Sequence, residues 1–322
     1  MNRSIKTFYW LTRREFWEHR GGFLWAPVIT AGVVILIQIL GLVTAMIFGD
    51  HVHVRFHGIA HADQLQQFGN FMDGSAMVLT GMVGLVLFCV LYAYCMKNLS
   101  EDRRDRSILF WKSLPLSDTN TVISKAFSAV IVATVIAFVI SAIGAFIMLL
   151  IWAVAGSLHG GHFFAIMGAA EPGRLLLNVL GAAPVYWVWM LPAVGWLMLC
   201  SAFSAGKTAR WAIALPLVIG ALFSWVGWTQ SWGHAVAWSW EHVFGRALLG
   251  LLPGSSAFLG DGNPLRLAFA NRGQGGGINQ LAESLMAQKY AMLFTPDFMW
   301  GALAGLLMIA AAIWLRRWRT EL

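Results

Sequence analysis

The chain has 322 residues, of which 58% are hydrophobic and 11% charged, against roughly 45–50% and 25% in an ordinary soluble domain. That composition excludes a soluble globular protein. The 22 Lys and Arg against 15 Asp and Glu give a formal charge of +7, whose meaning depends on where the basic residues stand relative to a bilayer.

Residues 1–23 predict an amphipathic helix lying in the membrane interface. Ile5, Phe8, Tyr9 and Phe16 fall within one arc of roughly 100° on a helical wheel, and Lys6, Arg13, Arg14 and Glu18 lie elsewhere. Six apolar windows without Asp, Glu, Lys, Arg or His follow, at about 24–48, 75–96, 126–155, 175–203, 211–228 and 298–315. Each approaches or exceeds the roughly 20 residues that a helix needs to cross the hydrocarbon. The first is too long for a signal-peptide core and no small-residue cleavage site follows it, so it reads as an uncleaved span. Of the 22 basic residues, 16 fall in 1–23, 97–125, 204–210 and 316–322. The positive-inside rule therefore places both termini in the cytoplasm, with Trp10, Trp17, Trp25, Trp314 and Trp318 suited to the headgroup region.

The segments facing the other way are 49–74, 156–174 and the long 229–297. Within the last, 235–252 predicts an outer-face or re-entrant helix, because Glu241, His242 and Arg246 oppose a full crossing. The glycine run at 273–277 predicts a flexible joint, and 279–290 a short surface helix. In the first outer segment His53, His57 and His61 recur every four residues and share a helical face, the arrangement of a weak zinc candidate. A solvated histidine-rich loop is the default there, since only Asp50 and Asp63 stand nearby to orient the rings. Pro184, Pro192 and Pro216 lie inside spans, as hinges or as packing features.

Charge-free spans argue against transport driven by an ion gradient, which uses ionisable groups in the membrane. Gly206, Lys207 and Thr208 lack the upstream glycine of a phosphate-binding loop, and no H-E-x-x-H or G-x-S-x-G occurs. The three cysteines, Cys89, Cys95 and Cys200, show no metal-site spacing. No catalytic residue and no cofactor site is assigned to this chain, so any chemical energy must come from another.

The most informative segment is 97–125, KNLSEDRRDRSILFWKSLPLSDTNTVISK. Charges of both signs from Glu101 to Arg106 precede Ile108, Leu109, Phe110 and Trp111, and Pro115 breaks the chain, which predicts a short helix with a partner to bind. Ser117 or Asp118 is positioned to cap an extension of the third span, with Lys125 where it meets the membrane.

The run E-D-R-R-D-R-S-I-L-F-W-K-S-L-P-L-S-D at 101–118, followed by Ser124 and Lys125, resembles the permease subunits of ABC-2 type ATP-binding-cassette transporters. L-T-R-R-E-F-W-E-H-R at 11–20 reinforces the resemblance. It implies an all-α polytopic membrane protein, one transmembrane domain over 1–322, with six transmembrane helices, an N-terminal elbow helix, a cytoplasmic coupling helix and outer or re-entrant helices before the last span. The implied docking residues for a separate ATPase subunit are Glu101, Asp102, Arg103, Arg104, Asp105, Arg106, Phe110, Trp111, Lys112 and Pro115, with Arg13, Arg14 and Glu15 on the elbow. ATP and Mg would be held by that ATPase. A second permease subunit, identical or homologous, and the lipid bilayer complete the implied partners, and nucleic acid is not among them. The implied setting is the bacterial cytoplasmic (inner) membrane, and the implied activity is export, with hydrophobic or amphipathic cargo suggested by the charge-free spans. The segment 229–297 has no residue-by-residue counterpart in the resemblance. Two other functions share parts of this pattern: a membrane-embedded sensor or scaffold that binds a cytoplasmic partner through 97–125, and a membrane metalloenzyme using the outer histidines.

Overall fold

A computed structural model describes residues 3–47, 62–104, 117–158, 161–204, 208–257, 259 and 290–318, among which every regular element is helical. Helix α1 spans Arg3–Glu18, and a π-type turn at Gly21–Trp25 leads into α2, Ala26–Ile47. Next come α3 (Ala62–Arg104), α4 (Asp118–Phe127) and, after a π-type turn at Ser128–Ala133, α5 (Thr134–Leu158). The short α6 (Phe163–Ala169) precedes α7 (Pro172–Trp189) and α8 (Leu191–Phe203). A π-type turn at Arg210–Ala214 opens α9 (Leu215–Thr229), α10 (Gly233–Ser239) and α11 (Gly245–Leu249) follow, and α12 (Pro296–Trp318) is last among the described elements.

Among the described residues, six helical stretches are long and apolar enough to cross a membrane: Gly21–Thr44, Leu65–Ser100, Asp118–Leu158, Phe163–Trp189, Arg210–Thr229 and Pro296–Trp318. Each overlaps one of the six expected windows. Two helices run well past theirs. At 43 residues, α3 is about 65 Å long at 1.5 Å per residue, against a hydrocarbon core of about 30 Å. Residues 97–104 contain neither Gly nor Pro and simply continue it. Glu101–Arg104 are therefore the last turn of α3, and 105–116, where the rest of the expected short helix falls, lie outside the described residues. Ser117 caps α4, its hydroxyl accepting the Asn120 N–H at 3.2 Å, as the sequence led us to expect.

The fourth window is interrupted. Pro192 has no N–H to offer the Val188 carbonyl, and the helix breaks at Met190, whose own N–H donates to the Tyr186 and Val188 carbonyls. Pro184 lies within α7 without ending it, and Pro216 follows closely on the π-type turn at Arg210–Ala214. At the last span, Pro296 opens α12 with Asp297 in the first turn and Arg316 and Arg317 in the last, both favourable to the helix dipole.

The core is made by α3, α5, α7 and α8, with Leu79, Leu87, Leu91, Met148, Leu149, Met190 and Leu197 fully buried. The last span closes on α8 through glycines. A Cβ on Gly195 would stand 2.5 Å from the Gly305 carbonyl oxygen, so the two backbones touch where any side chain would hold them apart. By contrast, α2 and α9 leave Ile37, Leu40, Leu222 and Trp225 exposed, the condition of helices that face lipid or another subunit.

The segment after Thr229 folds back along the spans. Beyond a turn after Thr229, α10 and α11 return antiparallel along α9: Val236 meets Gly227, and Trp240 Nε1 donates to Ser224 Oγ at 2.7 Å and covers Gly220. Gly220 is roughly 14 Å along the helix from that turn. Of the two expected forms, an outer-face or a re-entrant helix, these contacts give the second. Its tip is held by Arg246, 3% exposed, whose guanidinium lies 4.2 Å over the Trp189 ring and 5.3 Å from that of Phe298 and donates to the Asp297 carbonyl at 3.1 Å. The glycine run 273–277 and most of 279–290 lie outside the described residues.

Candidate functional site

The two segments that carry the sequence motifs meet at one end of the bundle. α1 lies against α4 and the adjoining turn, with Phe8 edge-on to Phe127, ring centroids 5.5 Å apart. Its inward stripe is Phe8, Leu11 and Glu15, while Ile5 and Tyr9 are exposed. The expected apolar arc is therefore only partly the packed one, because a charged residue with a buried partner belongs to the inner face. Glu15 is 4% exposed, its Oε1 3.8 Å from Lys125 Nζ. Its Oε2 accepts the Tyr94 hydroxyl at 3.0 Å, and the His19 ring stands edge-on to Tyr94 with centroids 4.7 Å apart. Lys125 Nζ in turn donates to the Asn98 carbonyl at 2.8 Å.

A second helix reaches the same stretch of α3. The Ser201 hydroxyl on α8, fully buried, accepts the backbone N–H groups of Leu99 and Ser100 at 3.1 and 3.0 Å. From α12, Arg316 Nε donates to Asp118 Oδ1 at 3.3 Å, with Arg316 itself buried. Elements near both ends of the chain are thus clamped to α4, at the same end of the bundle. Residues 98–100 and 117–125, the two roots of the charged and aromatic loop, are held by side chains from α1, α8 and α12. Low local dielectric strengthens such a network when it is satisfied.

The expected site residues divide into three groups. Glu15 makes its contacts inside the chain, and Arg13 and Arg14 are exposed, with Arg14 3.2 Å from Glu18. Glu101, Asp102, Arg103 and Arg104 are placed on the last turn of α3. Asp105, Arg106, Phe110, Trp111, Lys112 and Pro115 lie outside the described residues, as do His53, His57 and His61. Tyr94, Asn98 and Ser201 were not singled out from sequence; the usable signal was Tyr94 and Asn98 spaced four apart on an otherwise apolar helix.

Residues 68–170, about one third of the chain, match the family model described as ABC-2 family transporter protein. That stretch is similar to an ABC-2 permease domain. No curated protein and no solved structure matches the chain. The matched residues run from α3 through the loop to α6 and include Tyr94, Asn98 and Lys125, whereas Glu15 and Ser201 lie outside them. The matched stretch takes in most of the second, all of the third and the start of the fourth of the apolar helices, and its similarity is to the membrane permease of an ATP-binding-cassette transporter. A permease of this family is the transport subunit rather than the ATP-hydrolysing one, and the family implies an ATPase partner.

Proposed function

We propose that this permease exports a hydrophobic or amphipathic compound, driven by separate ATPase subunits that dock on residues 101–118 and bind ATP and Mg. The observation that carries this is the clamp of Glu15, Tyr94, Lys125, Asn98 and Ser201 at the roots of that loop. A push on the loop is delivered to α1, α3, α4 and α8 together instead of being absorbed by a slack connection. Phe110 and Trp111 are the apolar anchor in the ATPase, and Arg103, Arg104 and Arg106 its charged rim. ATP binding and release act by favouring one of two arrangements of the spans, which requires different docking in the two states. The clamped end faces the cytoplasm of a bacterial inner membrane, and a second permease subunit completes the path against the exposed faces of α2 and α9.

The test is co-expression of the tagged permease with the ATPase encoded beside it, comparing the intact chain with Phe110→Ala/Trp111→Ala. Loss of co-purification and of permease-dependent ATPase modulation in the double variant is the expected result. Undiminished ATPase binding by the double variant would overturn the docking assignment. An intact chain that binds no ATPase would favour a sensor or scaffold instead.

A further inference from the structure

A cavity of about 310 Å³ lies within this one chain, between α3, α5 and α7, at the lower end of the roughly 300–1,000 Å³ usual for ligand sites. Its α3 wall runs from Asp73 through Met77, Thr80 and Gly84 to Leu87, a single helical face about 21 Å long. Phe138 and Val179 line the opposite sides, and Pro253, from the re-entrant segment, stops it near Gly84. So small a volume along so long a wall suits one extended chain better than a broad ring system. Met77, 48% exposed, borders it on the outer surface of the bundle, so the cavity opens sideways.

The outer mouth is charged and incompletely satisfied. Asp73 is 5% exposed, and its buried Oδ1 has no hydrogen-bond partner. Across the mouth Arg174 Nη1 donates to Glu171 Oε2 at 2.8 Å, while its buried Nη2 has none. An unpaired buried carboxylate oxygen and an unpaired buried guanidinium nitrogen both carry a desolvation penalty that a ligand removes by supplying a donor to one and an acceptor to the other. A lone cation or a lone anion satisfies only half of the mouth.

We propose that this cavity binds a single-chain amphipath with a zwitterionic ammonium–phosphate head: the ammonium donates to Asp73, the phosphate accepts from Arg174, and the tail lies along Met77, Thr80 and Phe138. As a binding site it stands by itself; as the place where exported cargo is held it rests on the export function proposed above.

The purified full-length permease, in a nonionic detergent, is titrated with lysophosphatidylethanolamine, with lysophosphatidylglycerol, which lacks the ammonium, and with hexadecyltrimethylammonium, which lacks the phosphate. Lysophosphatidylethanolamine is expected to bind tightest. Asp73→Asn weakens it about tenfold or more, the scale of one charge-assisted hydrogen bond, and leaves lysophosphatidylglycerol unchanged. Arg174→Gln weakens both phosphate-bearing probes and spares the ammonium one. Gly81→Leu, where an added Cβ meets nothing within 4 Å, fills the tail channel without touching the head groups and abolishes binding of all three, which keeps the test decisive if Asp73→Asn fails to fold. Equal affinity for the three probes, or undiminished binding by Gly81→Leu, would overturn the proposal. ATPase stimulation of the assembled transporter by lysophosphatidylethanolamine then identifies cargo; binding without stimulation identifies a resident lipid, keeps the site and withdraws only its link to export.

Discussion

Glu15 on α1 and Lys125 on α4 form a buried ion pair, Oε1 to Nζ 3.8 Å, with the Tyr94 hydroxyl donating to the other carboxylate oxygen. Removing one partner of such a pair leaves a buried charge uncompensated, which costs about 3–5 kcal/mol. Glu15→Gln is therefore expected to lower the thermal unfolding midpoint of the detergent-solubilised protein strongly, and Glu15→Gln/Lys125→Met to recover part of the loss. A double variant no more stable than the single one would show that the pair does not act as a unit.

Ser201 joins α8 to α3 through two backbone N–H donors. With Ser201→Ala both donors lose a buried acceptor, at about 1–3 kcal/mol. Amide exchange at Leu99 and Ser100 should accelerate selectively while the rest of α3 stays protected. Uniform exchange along the helix would argue that the clamp is not local.

The contact of Gly195 with Gly305 has no room for a side chain. Gly305→Val forces α12 away from α8 and is expected to destabilise by about 1–3 kcal/mol or more, the range for overpacked sites. Because Phe298 at the start of α12 also stacks near Trp189 at the end of α7, ring centroids 5.7 Å apart, limited proteolysis should cut the variant faster near the start of α12. An unchanged digestion pattern would contradict so tight a crossing.

Arg246 seats the tip of the re-entrant segment by its planar group over Trp189. Arg246→Lys keeps the charge but loses the flat stacking surface, so it is expected to behave like Arg246→Gln rather than like wild type, each lowering stability by about 1–2 kcal/mol. A fully stable lysine variant would mean that charge alone holds the segment.

What could be read along the chain was whatever repeats locally. Span number follows from windows of about twenty apolar residues, which need no knowledge of neighbours, and the Ser117 cap follows from a hydroxyl three residues before the N–H it accepts. The mixed-charge and aromatic loop resembling ABC-2 permeases was legible for the same reason, and residues 68–170 match that family.

The structure decided what depends on helix rotation and depth. No local pattern tells that Glu15 turns inward to meet Lys125, since the same wheel puts an apolar arc beside it and only the facing helix selects the buried stripe. Asp73 stands two residues outside a charge-free window, yet α3 starts earlier and the packing of α5 and α7 buries it. The segment 235–252 is apolar enough for either face of the membrane interface, and the contacts of Trp240 with Gly220 and of Arg246 with Trp189 draw it into the bundle. Composition and periodicity are properties of one helix and determine that it crosses; burial of a particular polar atom is a property of two or three helices at once, and only their packing determines it.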